Sequence, residues 1–242
     1  MTVVPLPSLD EPFAGALSRL GHELRGPLSG IAGLTGLMTR KLSQGQADPE
    51  QQARQLQMIN TSATDLMLTV ERVVALARAA TSAPGRCDEP IDLTDLARRA
   101  VTATRDLAGA RGRDVLIDTP AEPVLVLAHR DDALQALTEL LDNALRYTDH
   151  PDVRLAVRPA TVEVSDRGPG LSAEDQRVAF LPFERGSAAG ESGAGAGLGL
   201  CLAQRLVHRF GGALTMRTSP DGTTCTIAFP PYGEADGHGP GR

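Results

Sequence analysis

The sequence has no apolar run near the ~20 residues that span a bilayer. Its longest uncharged candidate, Gly26 to Thr39, is short and broken by Gly, Ser and Thr. The opening residues, MTVVPLPSLDEPF, lack the positive region and apolar centre of a secretory leader. Cysteine is scarce: Cys87, Cys201 and Cys225 are odd in number and widely spaced, which indicates neither a disulfide framework nor a zinc knuckle. An excess of positive charge is also missing. Lys and Arg number 24 against 30 Asp and Glu, a net charge of −6, and this argues against a nucleic-acid partner held by bulk charge. Of the five histidines, His129, His150, His208 and His238 have no metal-ligand partner at short spacing.

What remains is the composition of a globular protein. The chain has 242 residues, 41% hydrophobic and 22% charged, a length for one large domain or two modest ones at roughly 100–200 residues per domain. Glycine is in excess, 25 of 242 residues against an ordinary share of about 7%, and its placement is informative.

Residues 1–12, with Pro5, Pro7 and Pro12, read as an irregular lead-in. From Phe13 to Ser43, Leu17, Leu20, Leu24, Leu28, Ile31, Leu34 and Leu37 recur every three or four residues, one face of an amphipathic helix. After the polar breaker SQGQADPE, Leu56, Ile59, Ala63, Leu66, Val70, Val73 and Ala77 continue a heptad seam on a second helix. The pair is an antiparallel hairpin over residues 13–82. Such a hairpin buries its stripes either against a second copy, as a four-helix bundle, or against the rest of its own chain. A linker, 83–90, ends the helical part. Over 91–230 the pattern mixes helices (93–110, 131–147, 172–180, 198–210) with strands (115–118, 124–127, 153–157, 161–165) and a closing hairpin around Ser-Pro-Asp-Gly (213–218, 223–229). The fold class is therefore α+β: a helical hairpin followed by an α/β sandwich with a mixed sheet. Residues 231–242 read as a disordered tail.

Four local features carry chemistry. His22 and Glu23 lie on the flank of the first helix, beside Pro27, which should bend it. A carboxylate beside an imidazole holds the ring and accepts its proton, freeing the other nitrogen as a nucleophile; the alternative is a surface histidine. Glu139, Asn143 and Arg146 share a helix face at spacings of four and three. Asn offers a neutral oxygen to a hard cation and Arg a charge for phosphate, although a solvated polar face has the same pattern. Asp166-Arg-Gly168-Pro-Gly170 follows a strand, where a carboxylate accepts an exocyclic amine and glycines allow close backbone approach; bare Asp-Gly turns are also common. Finally, GESGAGAGLGL (Gly190–Leu200) runs into a helix, placing backbone N–H groups at its positive end, unless it is simply a flexible linker.

The order of these boxes, with FLPFERG (Phe180–Gly186) before the last, resembles the transmitter core of bacterial two-component sensor histidine kinases over residues 13–230. The resemblance implies a dimerisation and phosphotransfer hairpin and an ATP-binding sandwich of the gyrase and histidine-kinase type. His22 is then the phosphoacceptor and Glu23 its activating acid. Asn143 is the Mg²⁺-binding asparagine, with Glu139 beside it as a metal-site residue. Arg146 and Tyr147 lie near the nucleotide, Asp166 recognises adenine, Gly168, Gly170, Gly195, Gly197, Leu198 and Gly199 form the hinge and phosphate lid, and Arg185 is a lid arginine. The implied protein is a cytoplasmic homodimer that uses ATP and Mg²⁺ and passes its phosphoryl group to an aspartate of a response regulator on a separate chain. No nucleic acid and no membrane segment within these residues are expected.

Two positions depart from the family. Gly26 stands where Thr or Asn usually orients water for dephosphorylating the partner, which implies weak phosphatase activity. Glu139 stands where Asn is frequent, and gyrase-type relatives place a water-activating Glu there. The alternative of the same fold is a phosphotransfer or scaffold protein with little ATP turnover; it predicts loss of Asn143, Asp166 or the lid glycines, all of which are present. A serine kinase of the anti-sigma-factor type would not need the His22 hairpin. Gly26, Gly30, Gly33 and Gly36 crowd the first helix, which reads either as softening or as close helix packing.

Overall fold

The computed structural model describes residues 2–4, 14–46, 48–81, 87, 89–184, 186 and 195–233. Two long helices, α1 (Ala14–Ser43) and α2 (Pro49–Thr81), form the hairpin. Asp48 and Pro49 open the second helix: the Asp48 carboxylate accepts from the Glu50 N–H at 3.0 Å, and proline is pre-set for the first helical turn. α1 runs unbroken through Pro27. An added Cβ at Gly26, Gly30, Gly33 or Gly36 would meet nothing within 4 Å, so packing inside this chain does not require these glycines.

The second part begins with β2 (Pro90–Asp92), paired antiparallel to β4 (Leu125–Leu127). Between them lie α3 (Leu93–Ala103), α4 (Arg105–Ala110) and β3 (Asp114–Asp118). One continuous helix was expected over 93–110; it is interrupted at Thr104, whose hydroxyl donates back to the Ala100 carbonyl at 3.0 Å, the local competition that Ser and Thr offer a helical backbone. Then follow α5 (Arg130–Tyr147), β5 (Asp152–Arg158), β6 (Thr161–Ser165), α6 (Ala173–Val178), α7 (Gly199–Arg209), β7 (Ala213–Ser219) and β8 (Gly222–Ala228).

The main sheet has the order β1-β7-β8-β6-β5-β3, all antiparallel except the β3–β5 pair. β1 (Thr2–Val4) pairs with β7, so the expected irregular lead-in contains a strand: the β-branched run finds the free edge of β7. Alternation along the strands gives the sheet one buried face, with Leu155, Val162, Val164, Ile227 and Met216 inside. On that face lie α3, α5 and α7. Leu137, Leu141 and Leu145 of α5 and Leu202 and Leu206 of α7 meet these strands in one core, and Phe210 stacks on Phe229 with ring centroids 5.3 Å apart.

The hairpin does not stand apart from this core. Leu76 and Ala79 of α2 are buried in it, with Val73 and Ala75 packed on its edge. By contrast Leu56, Met67, Val70 and Val74 on the same helix are exposed, as is Leu28 on α1. The face that enters the core is not the seam predicted from the heptads: Val73 of that seam packs at the core's edge, but Val70 and Ala77 are exposed and the buried Leu76 and Ala79 lie beside it, so part of the apolar surface of α2 has no cover among the described residues.

One carboxylate joins three pieces of backbone. Asp92 caps α3 by accepting from Thr94 N–H at 2.9 Å and also accepts from Val124 N–H at 3.1 Å. Asp92→Ala removes both acceptors and is expected to cost about 1–2 kcal/mol of stability, measured as a lower urea midpoint.

Candidate functional site

A cleft of about 960 Å³, part of it open to solvent, lies between α5, the end of β6, the start of β8 and the N-terminus of α7. Its floor is apolar: Leu140, Ala144, Val164, Leu171, Ala179 and Met216 line it. Its polar groups are few and converge, the usual make-up of a small-molecule site.

Asp166 sits at the deep end, where β6 stops. Its Oδ1 accepts from the Gly168 N–H at 2.8 Å and from the Thr223 N–H at 3.3 Å, so two backbone donors fix the carboxylate. Burial pushes its pKa above the usual carboxylate range, with those two bonds opposing the shift. The same turn demands glycine. At Gly170, φ is +67° and a Cβ would lie 2.0 Å from the Ser219 carbonyl oxygen. Cys225 lines the same end, and complete burial pushes its thiol up to about 12, with the nearby Asp166 charge adding to the shift.

Asn143 and Tyr147 line the opposite wall, on α5. Behind Asn143 the Glu139 side chain converges on the first residue of α7. A Cβ on Gly199 would stand 3.0 Å from Glu139 Oε2 and 3.2 Å from Asn143 Nδ2, a tight fit against the ends of both side chains. Gly197, φ +66°, packs against the Glu184 carbonyl with no space for a Cβ, and Glu184 itself lines the cleft.

Glu139 and Asp142 are buried on α5, and their counter-charge comes from the hairpin. Arg72 Nε donates to Glu139 Oε1 at 2.8 Å and Arg72 Nη2 donates to Asp142 Oδ2 at 2.8 Å. Nη2 is also 2.6 Å from Glu139 Oε2, but off the hydrogen-bonding direction, so that oxygen is buried without an aligned donor. Burial pushes the Glu139 carboxyl above its usual range, only partly opposed by Arg72. Burial likewise acts against the charge on Arg72, but the two carboxylates outweigh it and the guanidinium is held more firmly protonated. Arg146 Nε donates to the same Asp142 oxygen at 2.9 Å. At the C-terminus of α5, Arg111 and Arg113 donate to the carbonyls of Arg146 and Leu145, cations where the helix dipole favours them.

Half of the predicted site residues therefore meet: Asn143, Tyr147, Asp166, Gly168, Gly170, Gly197 and Gly199 all line the cleft. Arg146 turns to Asp142 and Leu198 is buried in the core. Gly195 has φ +133° with open space around it, and Arg185 lies outside the described residues. His22 and Glu23 are on α1, His22 exposed and Glu23 half-buried, with no hydrogen bond or ion pair between them among the described residues. The turn before His22 reaches the cleft: Arg19 pairs with Glu184 at the rim. Sequence reasoning missed Arg72, Asp142, Glu184 and Thr223. Arg72 carried a signal in hindsight, a charge between Val70 and Val73 in an apolar seam; Thr223 carried none, because it acts through its backbone N–H.

The chemistry of the oxygen donors beside this cleft suits a hard divalent cation. Among the described residues no cluster of three or more His, Cys, Asp or Glu could hold a metal alone. The buried Glu139 oxygen without an aligned donor and the adjacent Asn143 amide are oxygen ligands of the kind Mg²⁺ shares with substrate phosphates.

An α/β sandwich with an apolar-floored cleft, joined to a helical hairpin that carries an exposed histidine, is the arrangement of an ATPase-type domain coupled to a phosphoacceptor module. Residues 128–233 match the family model for the histidine kinase-, DNA gyrase B- and HSP90-like ATPases, and residues 15–82 match that for the His Kinase A phospho-acceptor domain. With both domains in this order the chain belongs to the histidine kinases, as the transmitter core of a two-component sensor. It is 33% identical to the probable sensor histidine kinase TcrY of Mycobacterium tuberculosis, over 86% of this chain and 44% of TcrY. The Acinetobacter baumannii histidine kinase AdeS has the same fold, with a TM-score of 0.65 at 21% identity, covering 86% of this chain and 97% of that one. So has histidine kinase ThkA in complex with the response regulator protein TrrA, with a TM-score of 0.68 at 20% identity over 93% of this chain and 63% of that one. The chain spans less than half the length of the curated relatives it matches.

Gly170→Ala is expected to be destabilising by at least the roughly 1–2 kcal/mol of a left-handed residue, with the Ser219 clash in addition, and to abolish nucleotide binding. Thermal unfolding with and without an ATP analogue reads both effects.

Proposed function

We propose that this chain is an ATP-dependent protein-histidine autokinase that phosphorylates His22 and then donates the phosphoryl group to an aspartate of a response regulator. The observation that carries this reading is the convergence of Asn143, Asp166 and the glycine turns on one cleft, whose rim residue Glu184 pairs with the helical turn preceding His22. The phosphotransfer hairpin spans 13–82 and the ATP-binding domain 91–230.

Asp166 accepts the exocyclic amine of adenine, and its two backbone donors hold the carboxylate in place for that bond. The apolar floor takes the base, while Tyr147 flanks the nucleotide. Asn143 and Glu139 hold Mg²⁺, which supplies charge neutralisation for the phosphates. The N-terminus of α7, reached over Gly197 and Gly199, presents backbone N–H groups to the phosphates. A ring nitrogen of His22 attacks the γ-phosphorus in line, the bond to the β-phosphate oxygen breaks, and ADP leaves with that oxygen. Glu23 receives the imidazole proton. Catalysis is chiefly positioning and charge stabilisation. Reaching this geometry requires movement, because His22 is solvent-facing and Glu23 is not bonded to it in this arrangement.

Apolar residues left exposed on the hairpin, Leu28, Leu56, Met67, Val70 and Val74, support a homodimer in which a second copy completes a four-helix bundle. ThkA, a structural neighbour, is described in complex with a response regulator protein, which supports a receiver domain on a separate chain as the acceptor. Among the described residues no helix is long and apolar enough to cross a membrane, and we assign this segment to the cytoplasm, where ATP is supplied. Gly26, without a side chain to orient water, makes the phosphatase reaction weak.

Incubation with γ-labelled ATP and Mg²⁺ tests the central reading. Wild type is expected to take up an acid-labile label, and His22→Gln and Asn143→Ala to fall to background; acid-labile label surviving in His22→Gln overturns it. With ADP present, the purified protein is expected to leave the decay of a phosphorylated receiver domain unchanged, and acceleration would show that Gly26 does not limit that reaction.

A further inference from the structure

Arg72 stands in an unusual place. It projects from the same face of α2 as Leu76 and Ala79, at helical spacings of four and three, and that face is built into the core of the nucleotide domain. Its side chain is 8% exposed, and those of Glu139 and Asp142 are 6% and 11% exposed. A buried ionic cluster of this kind is a poor source of stability, since apolar side chains of similar volume serve as well or better. What it offers is a contact that one competing charge can undo.

Such a competitor has a place. Glu139 is the carboxylate assigned above to Mg²⁺, and here both of its oxygens lie against Arg72, Oε1 as acceptor at 2.8 Å and Oε2 at 2.6 Å. A guanidinium and a divalent cation on one buried carboxylate repel each other. The network is also asymmetric. Asp142 keeps its bond from Arg146 at 2.9 Å when Arg72 leaves, so withdrawal of α2 uncovers chiefly Glu139. Asp166, assigned above to the base, lies at the other end of the cleft from this pair. The second ionic bridge between the two parts, Arg19 to Glu184, is half-exposed and contributes little by itself.

We propose that Arg72 and the nucleotide's Mg²⁺ compete for Glu139, so that the seated α2 helix opposes metal–nucleotide loading and loading releases α2 from the ATP-binding domain. The inference rests on the assignment of Glu139 as a metal ligand. By linkage, whatever strengthens the seating of the hairpin weakens metal–nucleotide binding by the same factor, and the reverse. The hairpin thereby acts on the nucleotide site through one guanidinium, with no contact to the substrate.

Calorimetric titration of a non-hydrolysable ATP analogue, with Mg²⁺ and separately with EDTA, tests this on wild type, Arg72→Met and Glu139→Gln. Arg72→Met is expected to bind the Mg²⁺ analogue about fivefold or more tightly than wild type, and Glu139→Gln to lose most of its preference for Mg²⁺ over EDTA. Unchanged Mg²⁺-analogue affinity in Arg72→Met overturns the competition; weaker affinity would show instead that Arg72 serves the phosphates. If Glu139→Gln keeps the wild-type preference, the metal assignment itself fails and the competition with it. Hydrogen exchange on wild type stands independently of whether Arg72→Met folds. Amides of residues 68–78 of α2 are expected to exchange faster with the analogue plus Mg²⁺ than with the analogue in EDTA, and equal rates overturn the release.

Discussion

Two carboxylates buried on one helix constrain this molecule more than any other feature. Glu139 and Asp142 lie on the flank of α5 whose neighbouring positions, Leu137, Leu141 and Leu145, fill the core. An unpaired carboxylate there would be strongly destabilising, of the order of 3–5 kcal/mol when its partner is removed. Arg146 on the same helix donates to Asp142, and the guanidinium that lies against both Glu139 oxygens is Arg72, from the hairpin. The need to compensate Glu139 thus fixes where the hairpin meets the nucleotide domain. It brings Leu76 and Ala79 of α2 into the common core and leaves the upper apolar strip of the same helix exposed.

The far end of the cleft is organised by a second carboxylate with a different solution. Among the described residues no cation pairs with Asp166; two backbone N–H groups from different segments, Gly168 and Thr223, satisfy one of its oxygens. This arrangement ties the end of β6 to the start of β8 and fixes the carboxylate where it lines the cleft. Between the two carboxylates runs an apolar floor. A nucleotide requires this division: a dry, directional pocket for the base and a charged, adjustable end for the phosphates. The adjustable end is the one the hairpin touches.

Much of this was legible in the sequence because local periodicity and glycine chemistry are local properties. The 3.6-residue repeats located α1, α2, α5 and α7 to within a few residues, and Gly168, Gly170 and Gly197 are required by left-handed backbone or by approaches too close for a Cβ. Other features were not legible. β1 and β2 are three-residue strands, too short for alternation to show, and exist because a sheet edge and β4 are there to pair with them. The expected helix over 93–110 broke at Thr104 through a single hydroxyl bond. The glycine cluster of α1 was open to two readings. Among the described residues nothing crowds those positions, which leaves local softness or a second copy of the helix as the physical reason.

The sequence by itself determined the elements, the order of the boxes and which side chains are chemically equipped for phosphoryl transfer, because periodicity, capping and backbone permissiveness act over a few residues. Only the tertiary structure decided which of them share a cleft, that Arg146 serves Asp142, and that Arg72, 67 positions before Glu139 in the chain, closes on it. Charge compensation in a buried site acts through space, and its partner is selected by how helices pack, which no local pattern encodes.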